Sequence, residues 1–148
     1  MNASVMAELR IYPYSLRSSY PGMSRDDVPV WTRFVLAFPD AFDEVAYSVR
    51  VGQGADPLPS MDHLERLILR TLTQRRIDVV GFKAGRATLI EVKPRLGATA
   101  LGQLLVYRRL WLQDFPGIPL GGLMAVVGHA RSEDLAIARA YKIRVVVV

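Results

Sequence analysis

The pattern of apolar and polar positions is clearest between residues 76 and 93, where it predicts two β-strands joined by a hairpin turn. Branched and aromatic apolar residues recur on both sides of the segment KAGR, Lys83–Arg86. Two such runs separated by a short segment that contains glycine are typical of an antiparallel strand pair. A turn centred on the Ala-Gly pair of this segment fixes the register of the two strands.

That register brings two carboxylates together. Phe82 falls opposite Ala87, and Asp78 falls opposite Glu91. Lys93 lies two residues beyond Glu91 and therefore on the same face of the strand. Directly opposed side chains have Cβ atoms roughly 4.5–5.5 Å apart, so two like charges there are destabilising unless something offsets them. The simplest offset is a divalent cation, and carboxylate oxygens suit Mg²⁺ or Mn²⁺.

The rest of the chain alternates between helical and strand patterns. A helix is expected from about Arg25, capped by Ser24 and ended by Pro39, with an apolar face that includes Trp31 and Phe34. Further helices are predicted over Met61–Thr73, Ala98–Leu112 and Ser132–Tyr141, and further strands over Val45–Val51, Gly122–Val127 and Lys142–Val148. This order predicts a mixed α/β fold built around a central sheet.

Two local features add to this expectation. Residues 1–23 mix tyrosine and arginine with turn formers and show no clean period, so we interpret them as an extended arm. The arm could lie on its own domain, grip a neighbouring subunit or touch a phosphate backbone. Gly102, inside a predicted helix, suggests a close approach of that helix to the sheet.

Composition narrows the class of protein. The 148 residues suffice for one domain, which we place at 24–148, and about half of them are hydrophobic. The chain has no cysteine, so a disulfide or a thiolate zinc site is excluded. No signal pattern or membrane-spanning run is apparent, and we expect a cytoplasmic protein with no membrane contact. The net charge of +5 favours an acidic partner such as nucleic acid.

The arrangement of the acids resembles the PD-(D/E)xK nuclease superfamily, which has the restriction-endonuclease-like fold. The matching residues are Asp78 in RID, Glu91 and Lys93 in IEVKP, and Gln103 and Tyr107 in GQLLVY. The sequence departs from the family's motif in having Ile77, rather than proline, before the aspartate. The resemblance implies an α-β-β-β-α-β core, with Met61–Thr73 as an inserted helix and an extra α-β unit at the end.

The same resemblance implies a metal-dependent deoxyribonuclease. Asp78 and Glu91 would hold Mg²⁺ or Mn²⁺, with the carbonyl of Val92 as a third ligand, and the metal would activate water for attack on a phosphodiester. Lys93 would orient or deprotonate that water or stabilise the phosphate charge, and Gln103 would position water, phosphate or Lys93. Many members add an acid from the first helix. Asp27 is our first choice for it, with Glu44 and Asp26 as alternatives.

DNA is the expected partner, and the expected contacts are four arginines near the acids together with one tyrosine. Those predicted to bind nucleic acid are Arg75, Arg76, Arg95, Tyr107 and Arg108. A homo-oligomer, either a dimer or a ring, is a further expectation. Two rival hypotheses stay open. The chain could be a non-catalytic assembly protein with a nuclease fold, such as a virion-associated phage component, or a plain DNA-binding module.

Overall fold

The computed structural model describes residues 9–148, which form a mixed α/β fold with six strands and four helices. The elements in chain order are β1 (Tyr12–Pro13), α1 (Val28–Ala37), β2 (Glu44–Val51), α2 (His63–Thr73), β3 (Arg75–Lys83), β4 (Arg86–Arg95), α3 (Ala98–Asp114), β5 (Leu120–His129), α4 (Ser132–Ala140) and β6 (Ile143–Val147). The predicted fold class, mixed α/β around a central sheet, is confirmed at this level. In this range no helix is long and apolar enough to cross a membrane.

The six strands form a single mixed sheet in the order β1-β2-β3-β4-β5-β6. Strands β1 to β4 are antiparallel neighbours, whereas β4, β5 and β6 run parallel to one another. The predicted hairpin register is confirmed, since Phe82 pairs with Ala87. Ala84 and Gly85 form the turn with φ angles of 49° and 75°. Two successive positive φ values characterise the tight turn that matches the twist of antiparallel strands.

Helices cover both faces of the sheet, and each face has its own apolar cluster. One cluster joins α3 to the sheet through residues such as Leu89, Leu104 and Trp111. The other joins α1 to the opposite face through residues such as Trp31 and Ile90. Adjacent residues of β4 therefore enter opposite clusters, as the alternation of a strand requires. This two-sided burial fixes β4, the strand that carries Glu91 and Lys93, at the centre of the molecule.

The sheet is irregular at Asp78. The ladder with β4 ends at Val79, and the ladder with β2 omits Ser48, which lies opposite Asp78 and has a φ of 51°. Ile77 consequently packs in the α3 cluster while Val79 packs in the α1 cluster. Ile77 and Val79 therefore lie on opposite faces of the sheet, although a regular strand places residues two apart on the same face. The irregular backbone at Ser48 and Asp78 interrupts the strict alternation of the strand.

Several predicted helix limits need correction. Helix α1 begins at Val28, because Ser24 caps a turn that precedes the helix, and helix α4 ends at Ala140, one residue before the predicted end. Helix α3 runs on to Asp114, two residues beyond the predicted end. Gly102 is exposed, and the space beyond it is open, so it does not mark a close approach to the sheet.

Helix α2 carries its apolar residues on the outside. It begins after Asp62, whose carboxylate accepts a hydrogen bond from the backbone of Glu65 in a reciprocal capping box. None of its residues is buried. Four of its apolar residues, at helical spacing, are exposed: Leu64, Leu67, Ile68 and Leu72. Among residues 9–148, the helix therefore has little of the tertiary packing that usually stabilises an amphipathic helix.

The described part of the arm, residues 9–23, lies on its own domain. Tyr12 pairs with Val45 of β2, and Tyr20 is buried. The Tyr14 hydroxyl donates a hydrogen bond to the Phe38 carbonyl at 2.7 Å. Of the three fates considered for the arm, packing is the one seen over residues 9–23. Residues 1–8 lie outside the described range.

Candidate functional site

Four charged side chains meet where α1 and β3 begin and where β4 ends. They are Asp27, Asp78, Glu91 and Lys93. The Lys93 ammonium lies 3.5 Å from Glu91 Oε1 and 3.8 Å from Asp27 Oδ2. Glu91 and Asp27 are 1% and 5% exposed, whereas the Lys93 side chain is 37% exposed. The site therefore has a buried acidic floor and a cation that reaches toward solvent.

Asp78 is held by the backbone of the neighbouring strand. Its Oδ2 accepts a hydrogen bond of 2.9 Å from the Val92 N–H. Because Asp78 lies where both backbone ladders of β3 are interrupted, its carboxylate satisfies a donor of β4 that the ladder leaves unpaired. One Asp78 oxygen is thus fixed in place, and this contact links the irregularity of the sheet to the geometry of the site.

Asp27 is positioned by the start of α1. It occupies the position before the first helical residue, where the helix dipole favours a negative charge. The Ser24 hydroxyl donates a hydrogen bond of 2.6 Å to Asp27 Oδ2, the same oxygen that faces Lys93. Of the three acids proposed from the first part of the chain, Asp27 is the one that reaches the site. Asp26 and Glu44 are exposed, and Glu44 pairs with Phe82 near the other end of β3.

The environment of Glu91 and Asp78 disfavours the ionised form of both acids. Burial, and then the neighbouring Asp78 carboxylate, raises the pKa of Glu91 to about 8. Burial likewise raises the pKa of Asp78, although its hydrogen bond to Val92 and the Lys93 charge act in the other direction. Two carboxylates that repel each other in a buried environment form a site that a further cation would stabilise.

Lys93 keeps its proton in this arrangement. Burial by itself would lower the pKa of Lys93, but the carboxylates of Asp78, Glu91 and Asp27 together raise it. A lysine acting as a general base needs a lowered pKa. Among the roles predicted for Lys93, electrostatic stabilisation and orientation agree with this charge state better than proton abstraction does.

Gln103 and Tyr107 approach the acids from α3. The carboxamide oxygen of Gln103 is buried and has no hydrogen-bond partner in the structure. Tyr107 is only 3% exposed, and burial, followed by the Glu91 and Asp78 charges, raises its pKa. The predicted contact between Tyr107 and nucleic acid stays a prediction. Tyr107 lines a cleft at the start of β3, although its small exposed fraction leaves little surface for a ligand.

A cleft of about 650 Å³ opens beside Gln103 and Tyr107. Its walls come from the start of β3, the loop after β2 and one side of α3. Arg75 and Arg76, both predicted to contact nucleic acid, line it. Arg95 and Arg108 are also exposed, but neither lines this cleft. Two of the four predicted basic contacts thus share a concave surface with Gln103.

Sequence reasoning missed two parts of this site. The sequence predicts Ser24 only as a helix cap, yet its hydroxyl also holds Asp27. The loop after β2 is not among the predicted site residues, yet Gln53 and Gly54 line the cleft. The glycine-rich composition of residues 52–59 was a usable signal, because glycines let a backbone approach a ligand closely.

The donor set partly fits a divalent cation. Among residues 9–148, Glu91 Oε2 is buried and makes no hydrogen bond of good geometry, although the Tyr107 and Asp78 side chains lie close to the Glu91 carboxyl group. This leaves a lone pair available inside the site. Asp78, Glu91 and Asp27 supply the hard oxygens that Mg²⁺ and Mn²⁺ prefer. Within residues 9–148, however, no three histidine or acidic side chains are arranged as a ready-made metal site. The Lys93 ammonium stands between the acids, so metal binding requires Lys93 to turn away from at least one of them.

Comparison with known proteins gives one distant structural neighbour. No protein-family model matches the chain, and no curated protein matches it. A crystal structure of a protein of unknown function, AF1548, is similar over 78% of this chain, with 16% sequence identity and a TM-score of 0.44. The match spans about half of that protein, 54% of its length. The site itself therefore has to supply the argument for function.

Proposed function

We propose that this chain is a metal-dependent deoxyribonuclease with a restriction-endonuclease-like fold. The observation that carries the proposal is the convergence of Asp27, Asp78 and Glu91 on one ammonium group, with Glu91 Oε2 buried and unpartnered. The order of elements from α1 to β5 agrees with an α-β-β-β-α-β core in which α2 is inserted between the first two strands.

Asp78, Glu91 and Asp27 would hold Mg²⁺ or Mn²⁺, with the Val92 carbonyl as a further ligand. When bound, the metal lowers the pKa of water and neutralises charge on phosphate oxygens. Asp78 is already fixed by its bond to Val92, so less conformational freedom is lost when it serves as a ligand. Lys93 stays protonated and stabilises the negative charge that develops on the phosphate. Gln103 offers an amide to a phosphate oxygen or to water.

The test is cleavage of single-stranded, duplex and branched DNA in the presence of Mg²⁺ or Mn²⁺. We expect the native protein to cleave at least one form, and Lys93→Ala to lower the rate by roughly 10²–10³-fold, the size of effect typical of losing one electrostatic stabiliser. Arg139→Ala is the matched control. It removes one exposed cation from α4, far along the chain from the acids, and should leave cleavage unchanged.

Metal binding is measured separately, by calorimetry with Mn²⁺ and no DNA. Binding by the native protein that is lost in the Glu91→Gln variant supports the site even if the right DNA substrate is not among those tried. Absence of both Mn²⁺ binding and cleavage would overturn the proposal.

One observation favours the non-catalytic alternative, a nuclease-fold assembly protein. Lys93 already pairs with both Glu91 and Asp27, so the charges offset one another without a metal. In that case the cluster is structural, and neither Mn²⁺ nor DNA binds. Salt-sensitive DNA binding without cleavage would instead support the third hypothesis, a DNA-binding module, and sedimentation would show whether a dimer or a ring forms.

A further inference from the structure

A second concave site lies toward the opposite end of the sheet. It is a cavity of about 450 Å³ formed where α1 ends, β3 ends and β4 begins. Small-molecule sites typically have volumes of about 300–1,000 Å³. Lys83, on its rim, lies five positions from Asp78 along β3, which corresponds to about 16 Å. The cavity is therefore separate from the acidic site.

The floor of the cavity is aromatic. Phe34 and Phe42 are buried, and their ring centroids lie 6.3 Å apart, with the Phe38 ring 5.1 Å from that of Phe34. Met124 of β5 completes the apolar lining. Phe38 is nevertheless 40% exposed, so one ring of this cluster faces the open side. A flat apolar group can stack against such a surface at spacings typical of aromatic pairs.

The rim carries two cations, Arg144 and Lys83, which differ in how far residues 9–148 offset their charge. Arg144, on strand β6, is in register with Met124 and shares its sheet face. Its guanidinium takes part in no hydrogen bond or ion pair among residues 9–148. Lys83, in contrast, is held by Asp43 Oδ1 at 3.3 Å and by the Asp40 carbonyl at 3.0 Å. Of the two rim cations, Arg144 is thus the one available to a ligand.

We propose that this cavity binds a small aromatic carboxylate, with its ring on the phenylalanine floor and its carboxylate on Arg144. A planar guanidinium matches a carboxylate with two parallel hydrogen bonds. The Asp40 carboxylate also lines the rim and repels an anion, so its effect on binding must have the opposite sign to that of Arg144. This proposal does not depend on the nuclease proposal, because no residue is shared between the two sites.

An exposed arginine on an edge strand has a simpler explanation, since such a charge also discourages pairing with other chains. That role requires the charge and no ligand. The two explanations differ in whether the aromatic floor and the guanidinium act together on one bound molecule.

The experiment uses 2-naphthoate and its neutral counterpart 2-naphthamide as probes, with binding measured by fluorescence titration of the full chain. We expect saturable binding of one 2-naphthoate per chain and about tenfold weaker binding of 2-naphthamide, because a charge-assisted contact is lost. Arg144→Gln should weaken 2-naphthoate binding about tenfold and leave 2-naphthamide unchanged. Asp40→Asn should tighten 2-naphthoate binding.

Arg109→Gln is the matched control, because it removes one exposed arginine of α3 and should change neither titration. Backbone amide shifts in an NMR titration locate the probe, and they should centre on Phe38, Ala41 and Arg144. Circular dichroism confirms that each variant is folded. Equal affinity for the two probes, binding unaffected by Arg144→Gln, or the absence of saturable binding would overturn the proposal.

Discussion

At the residue scale, Glu91 shows how burial and function conflict. Its carboxylate lies in the dry interior between two helices, faces another carboxylate and leaves one oxygen without a partner. Such a group lowers stability when it ionises, because a buried charge that its neighbours offset only in part is disfavoured. An acid in such an unfavourable environment indicates a functional role. The neighbouring carboxylate oxygens support cation binding as that role.

The pH dependence of stability follows from the raised pKa of Glu91. With a folded-state pKa of about 8 against an ordinary value of 4.5, the folded protein retains a proton that the unfolded chain releases between these values. The free energy of unfolding of the metal-free protein should therefore fall as pH rises from about 5 to about 8, and the raised pKa of Asp78 acts in the same direction.

Urea unfolding across this pH range measures the effect, and Glu91→Gln should flatten the dependence. Mn²⁺ should stabilise the protein more at the alkaline end, because the ligand must lose its proton before it binds the metal. Stability that rises with pH over the same window would contradict the raised pKa.

Variants of Asp27 and Asp26 form a matched pair that tests whether an acid at the start of α1 contributes to metal binding. Both are acids at the start of α1, but Asp27 is buried beside Lys93 while Asp26 is exposed. Asp27→Asn should weaken Mn²⁺ binding by on the order of tenfold or more, the scale seen when a supporting ligand is lost. Asp26→Asn should have no effect. Calorimetry measures the Mn²⁺ affinity of both variants. Equal losses of affinity would mean that the net charge of the protein, and not the position of Asp27, explains the effect.

At the scale of elements, α2 and α3 are both predicted from apolar residues at helical spacing, yet they end in different environments. The exposed helix, α2, is the one whose apolar and polar sides are more sharply divided. The stripe of α3 includes Leu104, which is fully buried, whereas Leu72 of α2 is 74% exposed. Periodicity predicts that a helix forms, but it does not reveal whether the apolar side meets the core.

Substitutions in these two helices should therefore differ sharply in how far they lower the free energy of unfolding. Leu104→Ala should lower the free energy of unfolding by about 2–5 kcal/mol, because it leaves a cavity in the core. Leu72→Gln should change it by less than about 0.5 kcal/mol. Urea denaturation with matched m-values tests both. A large loss for Leu72→Gln would show that α2 is covered in solution, for example by a second copy of the chain.

The hairpin was the most predictable element, and the reason is local. Its turn residues, its alternation and its register all lie within a short stretch of sequence, so no distant contact was needed to place Phe82 opposite Ala87. The irregularity at Asp78 could not be predicted in the same way. It depends on Ser48, a residue thirty positions away that adopts a positive φ. A serine carries no strong signal for that conformation.

At the scale of the whole molecule, a net charge of +5 and a basic cleft predict salt-sensitive binding of DNA. Each phosphate contact adds about 0.9 to the slope of log affinity against log salt concentration. Arg75→Ala should therefore reduce that slope by about one, as measured by fluorescence anisotropy with labelled DNA. Arg139→Ala removes the same charge away from the cleft and should leave the slope unchanged. An unchanged slope for Arg75→Ala would place the DNA elsewhere on the surface.

The two ends of the connection between β2 and β3 lie side by side. Val51 pairs with Arg75, and the Gln74 carboxamide donates a hydrogen bond of 2.7 Å to the Gly52 carbonyl. The chain between them, including α2, leaves the sheet and returns to the same point without burying any helical residue. This excursion is where the protein should accept foreign sequence most readily, such as an affinity tag or a fluorescent domain, while β2 and β3 stay paired.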